Sequence, residues 1–350
     1  MNKPMVLVIH GMGTHKSGET KKEIADGFNQ AAANFGLTNF DINEKVEFFQ
    51  FNYSDFLDEI RLKDAAKAGE LVKHIGLLQG HGLGEKSAAK LTEFFADFDE
   101  NKIFYTHWMD VVYYGLMFWG EKIRVDLAKK INDLMIEREL GNRKLHIICH
   151  SLGTAVLHDT LAKLFRKDAD ITSEIPQLDI DRFQIDSLWT VANVSRLLNV
   201  LNDIADPNHS IVSSDNNGCA KLLFNVRNEF DPFTWFKRYD RPIEHGGRHI
   251  IVKTVRKVNT HDLKEYVKAP AVAEAFFSNV LGIIVTEDEY NQGIAKYKLT
   301  SLNYSYDALN DKFHDLKEEP SHTGKIELLI DLIKAVDEFK ERIDVMIEQD

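Results

Sequence analysis

The sequence predicts an open, doubly wound α/β fold. It has a mainly parallel sheet of about six strands, a helical insertion and a helical C-terminal extension. Three observations predict it. Short unbroken apolar runs such as Met5–Ile9 read as strands buried on both faces, as in parallel sheets. Helical patterns lie between most of these runs. Two of the runs leave at once into turns of small residues, where open α/β sheets carry their functional groups.

Taken in order, the strands are expected at Met5–Ile9, 46–51, 145–149, 187–194, 221–226 and 249–255. A helix is expected over Glu23–Phe35. Residues from about 56 to 140 read as mostly helical and rich in aromatics, among them Phe94, Phe95, Phe98, Trp108, Tyr113, Tyr114 and Trp119. His10 and Ser151 are 141 positions apart, far more than one strand and two helices need, so an insertion lies between them. Its aromatics suit either plain core or the wall or lid of an apolar pocket. A polar loop is expected over 167–186. From about 286 the chain changes character. Ile326, Leu329, Ile330, Ile333, Val336, Phe339 and Ile343 form a helical stripe among acidic residues, which would pack on the core or on a partner subunit. The division is therefore a domain over 1–285 and an acidic extension over 286–350.

Composition removes several function classes. The net charge of -12 makes nucleic acid an unsuitable partner, and more than half of the excess lies in residues 301–350, with 13 Asp/Glu against 6 Lys/Arg. Two cysteines, Cys149 and Cys219, give no disulfide framework and suit a reducing compartment. The run Met5–Ile9 is shorter than a signal-peptide core, and no stretch reaches the roughly 18 apolar residues of a membrane span. A cytoplasmic protein is expected. Nothing in the residues calls for a cofactor or a metal.

The stretch Leu145-His146-Ile147-Ile148-Cys149-His150-Ser151-Leu152-Gly153 reads as buried strand, sharp turn and helix start. A serine at such a junction has two readings. It is an ordinary N-cap, or it is the nucleophile of an elbow that lifts its hydroxyl above the sheet edge. The elbow needs small residues two before and two after the serine. Gly153 meets the second need, and Cys149 stands where the first is usually Gly. Three readings also compete for the loop His10-Gly11-Met12-Gly13. A dinucleotide fingerprint fails because Lys16 stands at its third glycine. A phosphate loop with Gly13, Gly18 and Thr20 fails because Glu19 replaces its lysine. The third is the oxyanion loop of a hydrolase.

A serine hydroxyl needs a base, and the base needs an acid to orient it. Asp231, in Asn228-Glu229-Phe230-Asp231-Pro232 after the fifth strand, is the candidate acid. Glu229, Asp203 and Asp206 are rivals. His261, in Asn259-Thr260-His261-Asp262 after the sixth, is the candidate base. His245 and His249 are rivals. The order Ser, acid, His is that of the α/β hydrolases.

On these four motifs, from His10 to Asp262, the chain resembles serine hydrolases of the α/β-hydrolase superfamily, of lipase or esterase type, over roughly residues 4–285. The first two strands of that family's full sheet are missing, since Met5 begins the oxyanion strand. The resemblance implies a Ser151–His261–Asp231 triad, with the N–H groups of Met12 and Leu152 as oxyanion hole. The implied reaction is cleavage of a carboxylic ester or thioester through an acyl-enzyme. The substrate would be a small ester or acyl compound, and a hydrophobic one would suit the aromatic insertion. The C-terminal helix would offer a surface for a homo-oligomer. Acyl transfer to an acceptor other than water is an alternative, and a silent hydrolase-like scaffold is another.

Overall fold

In the computed structural model the described residues are 2–65, 103–116, 119–165, 178, 183–320 and 324–349. Their centre is one sheet of six strands, all parallel, in the order β2-β1-β3-β4-β5-β6. The strands are β1 (Met5–Ile9), β2 (Glu47–Phe51), β3 (Leu145–His150), β4 (Ser187–Val191), β5 (Leu223–Asn228) and β6 (Gly247–Val252). Every residue of β1, β3 and β4 is buried, which explains their unbroken apolar runs.

Alternate residues of each strand feed two separate cores. Leu7, Ile147 and Leu188 face one layer, and Val8, Ile148 and Trp189 the other. The second layer holds α1 (Glu19–Phe35), α8 (Leu263–Lys268) and α9 (Pro270–Phe276). The first holds α5 (Trp119–Gly141), α6 (Leu152–Leu164) and α12 (Lys325–Gln349). The remaining described helices are α2 (Ile42–Lys45), α3 (Ser54–Ala65), α4 (Ile103–Leu116), α7 (Ser195–Asn202), α10 (Glu287–Lys298) and α11 (Tyr306–Phe313).

Several boundaries move from where the sequence puts them. Helix α1 begins at Glu19, because Gly18 takes a left-handed φ of 83° and turns the chain into it. Strand β4 stops at Val191, where Ala192 adopts φ 50° and bends the chain out of the sheet. Strand β5 runs on to Asn228 because β6 pairs with it up to Val252, three residues short of the expected end at Val255. Of the insertion, the described parts are the helices α3, α4 and α5. Phe94, Phe95 and Phe98 lie outside the described residues, as does most of the expected loop over 167–186.

The C-terminal stripe is consumed internally. Ile326, Leu329, Ile333, Val336, Phe339 and Ile343 are buried in this chain's own first core.

From β1 the chain turns one way, through α1 to β2 at one edge. From β3 onward it builds the other way, to β6. Order reverses between β1 and β3, so their C-terminal ends diverge and leave a crevice between them. His10–Gly13 leaves β1 there, and Ser151 follows β3.

Candidate active site

Ser151 sits at φ 50°, ψ -125°, a conformation that L-residues avoid. The turn is held from both sides. The Ser151 N–H donates to the Val191 carbonyl (2.9 Å), extending the sheet past β3. The Thr154 N–H and hydroxyl both donate to the Ser151 carbonyl (2.8 and 2.6 Å), and the Val194 N–H donates to the Thr154 hydroxyl. Helix α6 opens at Leu152, so the Leu152 N–H is one of the helix's unpaired donors at the positive end of its dipole.

Cys149, at the place usually held by glycine, fits because its side chain drops into the first core. It is fully buried and its thiol reaches the Trp189 carbonyl at 3.5 Å. Gly153 has no such freedom. A Cβ there would meet the His10 carbonyl oxygen at 2.3 Å. Reciprocally, a Cβ on Gly11 would come within 2.9 Å of both His150 Nδ1 and Ser151 Cβ. The β1 loop and the elbow thus interlock through two glycines.

The β1 loop is fixed by Tyr53, Ser54 and Asp110, none of them among the expected site residues. The Tyr53 hydroxyl donates to the His10 and Gly11 carbonyls (3.1 and 2.7 Å), and its ring stacks on His10 at 4.0 Å. The Tyr53 N–H donates to His10 Nε2, and the Ser54 hydroxyl donates to the Gly13 carbonyl. Asp110, fully buried on α4, accepts from the Gly13 N–H at 2.7 Å. With Gly13 so engaged, the buried Met12 marks the turn of the loop.

His261 and Asp231 reach the same point from the far half of the sheet. His261 Nε2 lies 2.9 Å from Ser151 Oγ, and His261 Nδ1 lies 2.8 Å from Asp231 Oδ2. Asp231 is fully buried. Its Oδ2 also accepts from the Tyr266 hydroxyl (2.6 Å) and its Oδ1 from the Phe233 N–H (3.1 Å). A carboxylate so held fixes Nδ1–H as donor and leaves Nε2 to accept the serine proton.

The rivals stand elsewhere. Glu229 pairs with Arg227 and Arg238, and Asp206 pairs with His209. His245 is exposed. His249 is held between Asn225 and the Arg241 carbonyl. Asp203 ends α7.

Three more imidazoles surround the elbow. His150 Nε2 donates to the His261 carbonyl at 2.8 Å, and the two rings lie 4.8 Å apart. Burial, and then the charge of a protonated His261, hold His150 well below the ordinary histidine range. Burial likewise brings His10 down to about 3 and lowers His15. His10 and His150 stay neutral through the physiological range.

The loop bearing His261 is bolted down by Arg256. Its guanidinium is buried and donates to Glu265, to the Tyr297 carbonyl and to the hydroxyls of Thr300 and Ser301. Its N–H donates to the Thr260 hydroxyl. Phe233 lies between the Trp108 ring (5.5 Å) and the His261 ring (4.1 Å).

Among the described residues, no three His, Cys, Asp or Glu side chains converge as a metal site, and no helix is long and apolar enough to cross a membrane. The chain matches no protein-family model and no curated protein. A hollow of about 660 Å³ beside Glu47 and Leu140 lies near the N-terminal ends of the strands, away from the crevice.

Tyr53, Asp110, His150, Phe233, Arg256 and Tyr266 were not singled out as site residues in the sequence. The adjacency of His150 to Ser151 was the one local signal. The others come from across the chain and carry none.

Proposed function

We propose that the chain is a serine hydrolase of α/β-hydrolase type that cleaves a carboxylic ester or thioester through an acyl-enzyme on Ser151. The observation that carries this reading is the continuous hydrogen-bonded chain Ser151–His261–Asp231 at a strained strand-to-helix turn. His261 takes the proton of Ser151 as the hydroxyl oxygen attacks the carbonyl carbon. Asp231 holds the imidazole in the required tautomer and stabilises its charged form. The Leu152 and Met12 N–H groups receive the developing oxyanion. Collapse of the intermediate breaks the bond to the leaving oxygen or sulfur, which takes the proton from His261. Water then releases the acyl group by the same steps in reverse. The two free, buried cysteines support a cytoplasmic setting.

The test is covalent labelling with a fluorophosphonate, followed by hydrolysis of an ester series, with Ser151→Ala as control. Labelling that vanishes in the variant is the expected result. Equal labelling of both proteins would refute the nucleophile.

One observation favours acyl transfer as a second reading. Ser151 is 0% exposed, and a water-poor site protects an acyl-enzyme for another acceptor. Product analysis with added alcohols or thiols separates the two.

A further inference from the structure

A cleft of about 340 Å³ runs from His261 along the C-terminal helix α12. That size is within the range of small-ligand sites. Its walls are mostly apolar: Phe233 on one side, and Val336, Phe339, Ile343 and Ile347 on the other. It is lined by His261 but by neither Ser151, the His10–Gly13 loop nor Leu152.

That asymmetry distinguishes the two halves of an ester. The carbonyl oxygen must face the N–H donors on the Met12 and Leu152 side. The leaving oxygen must face His261 Nε2, which returns to it the proton taken from Ser151. We propose that this cleft receives the leaving-group half of the substrate, and that this half is an apolar alcohol or thiol. Helix α12 then determines which leaving groups are accepted, while the acyl half is bound elsewhere. The assignment rests on the serine-hydrolase reading and deepens it. In the acylation step the Ser151 Oγ–carbon bond forms and the carbon–leaving-atom bond breaks. The proton passes from Oγ through His261 to the departing alcohol or thiol.

Phe233 lines the cleft and packs on the His261 ring. Lys340 and Asp344 also line it. Lys257 and Arg256, the latter paired with Glu265, line it as well, so the lining carries more positive than negative charge beside its apolar wall.

The experiment compares two series on the full chain. Butyrate esters from methyl to octyl vary the alcohol, and methyl esters from acetate to octanoate vary the acyl group. Each methylene buried in the cleft is expected to raise kcat/KM about fourfold in the alcohol series. Ile343→Trp fills the cleft from its buried wall and Ile347→Trp from its half-open rim. Each should cut the octyl-over-methyl preference at least about tenfold and leave the acyl profile unchanged. If Ile343→Trp does not fold, Ile347→Trp carries the test, since that position is 37% exposed. Fluorophosphonate labelling of Ser151 in each variant reports an intact site. A labelled enzyme whose alcohol preference ignores both substitutions overturns the assignment alone, as does a shift in the acyl series instead. A wild-type protein that takes no label overturns the hydrolase reading and the assignment with it.

Discussion

Among the described residues, two Ser–His–Asp sets are hydrogen-bonded in a chain, and they are held in different ways. In the first, His261 links Ser151 at 2.9 Å to Asp231 at 2.8 Å. In the second, His158 links Ser210 at 2.8 Å to Asp159 at 3.2 Å. Distances alone scarcely separate them. Their surroundings do. Ser210 spends its oxygen on its own turn, accepting from the Val212 N–H. Asp159 also accepts from Tyr114 and Asn202, so its carboxylate joins α4, α6 and α7. His158 and Asp159 are neighbours on one helix. Ser151 instead is held at positive φ at a helix start, and its two partners arrive from loops on separate strands. The comparison teaches that two such hydrogen-bonded chains are told apart by where the serine is held and what faces it.

The largest effect should come from removing the two serines in turn. Ser151→Ala is expected to lower kcat by on the order of 10⁴-fold or more, while Ser210→Ala stays within about twofold. Steady-state kinetics on one good ester decides, and a comparable loss from Ser210→Ala would erase the distinction. His261→Ala should cost about as much as Ser151→Ala. The double variant should be little worse than either, because the two groups act as a unit.

His158→Ala should leave turnover nearly intact and lower stability by about 1–3 kcal/mol in denaturant unfolding, since it strips a partner from buried Asp159. Orienting groups come next in size. Asp231→Asn should lower kcat by roughly 10³ to 10⁴-fold. Tyr266→Phe should lower it about tenfold with KM unchanged, having removed one donor to that carboxylate.

The smallest effect concerns imidazoles outside both chains. Burial brings His146 down to about 4 from 6.5, so the unfolded chain takes up its proton first as pH falls. Stability from this group is complete above about pH 6.5 and is lost toward pH 4. His146→Gln should flatten that part of a curve of unfolding free energy against pH by up to about 1.4 kcal/mol per pH unit. Glu23 works in the opposite direction. Burial and then the charge of Asp262 raise it to about 7, so its contribution is lost as pH climbs from 4.5 through 7. An unchanged slope in His146→Gln would remove the buried imidazole as the cause.

The strands and the elbow were legible because their causes are local. Apolar runs announce burial, and a small residue after Ser151 announces a tight turn. Asp231 and His261 were legible only as members of an order along the chain, and their rivals had equal local claim. What separates His261 from His249 is a meeting of residues 110 positions apart. The second chain shows the converse, since the adjacent pair His158-Asp159 carried no signal of its partner 52 positions on. The C-terminal stripe announced a packed helix. It gave no sign that the same helix would border His261.

Arg256 gives the molecule an order of assembly. Tyr297, Thr300 and Ser301, three of the four residues its guanidinium contacts, are made more than 40 positions after it. A chain emerging from the ribosome therefore holds Ser151, Asp231 and His261 well before it can seat the loop that aligns them. On the hydrolase proposal, Ser151 gains its base only once residues 297–301 have arrived, so a half-made chain would not yet attack esters around it.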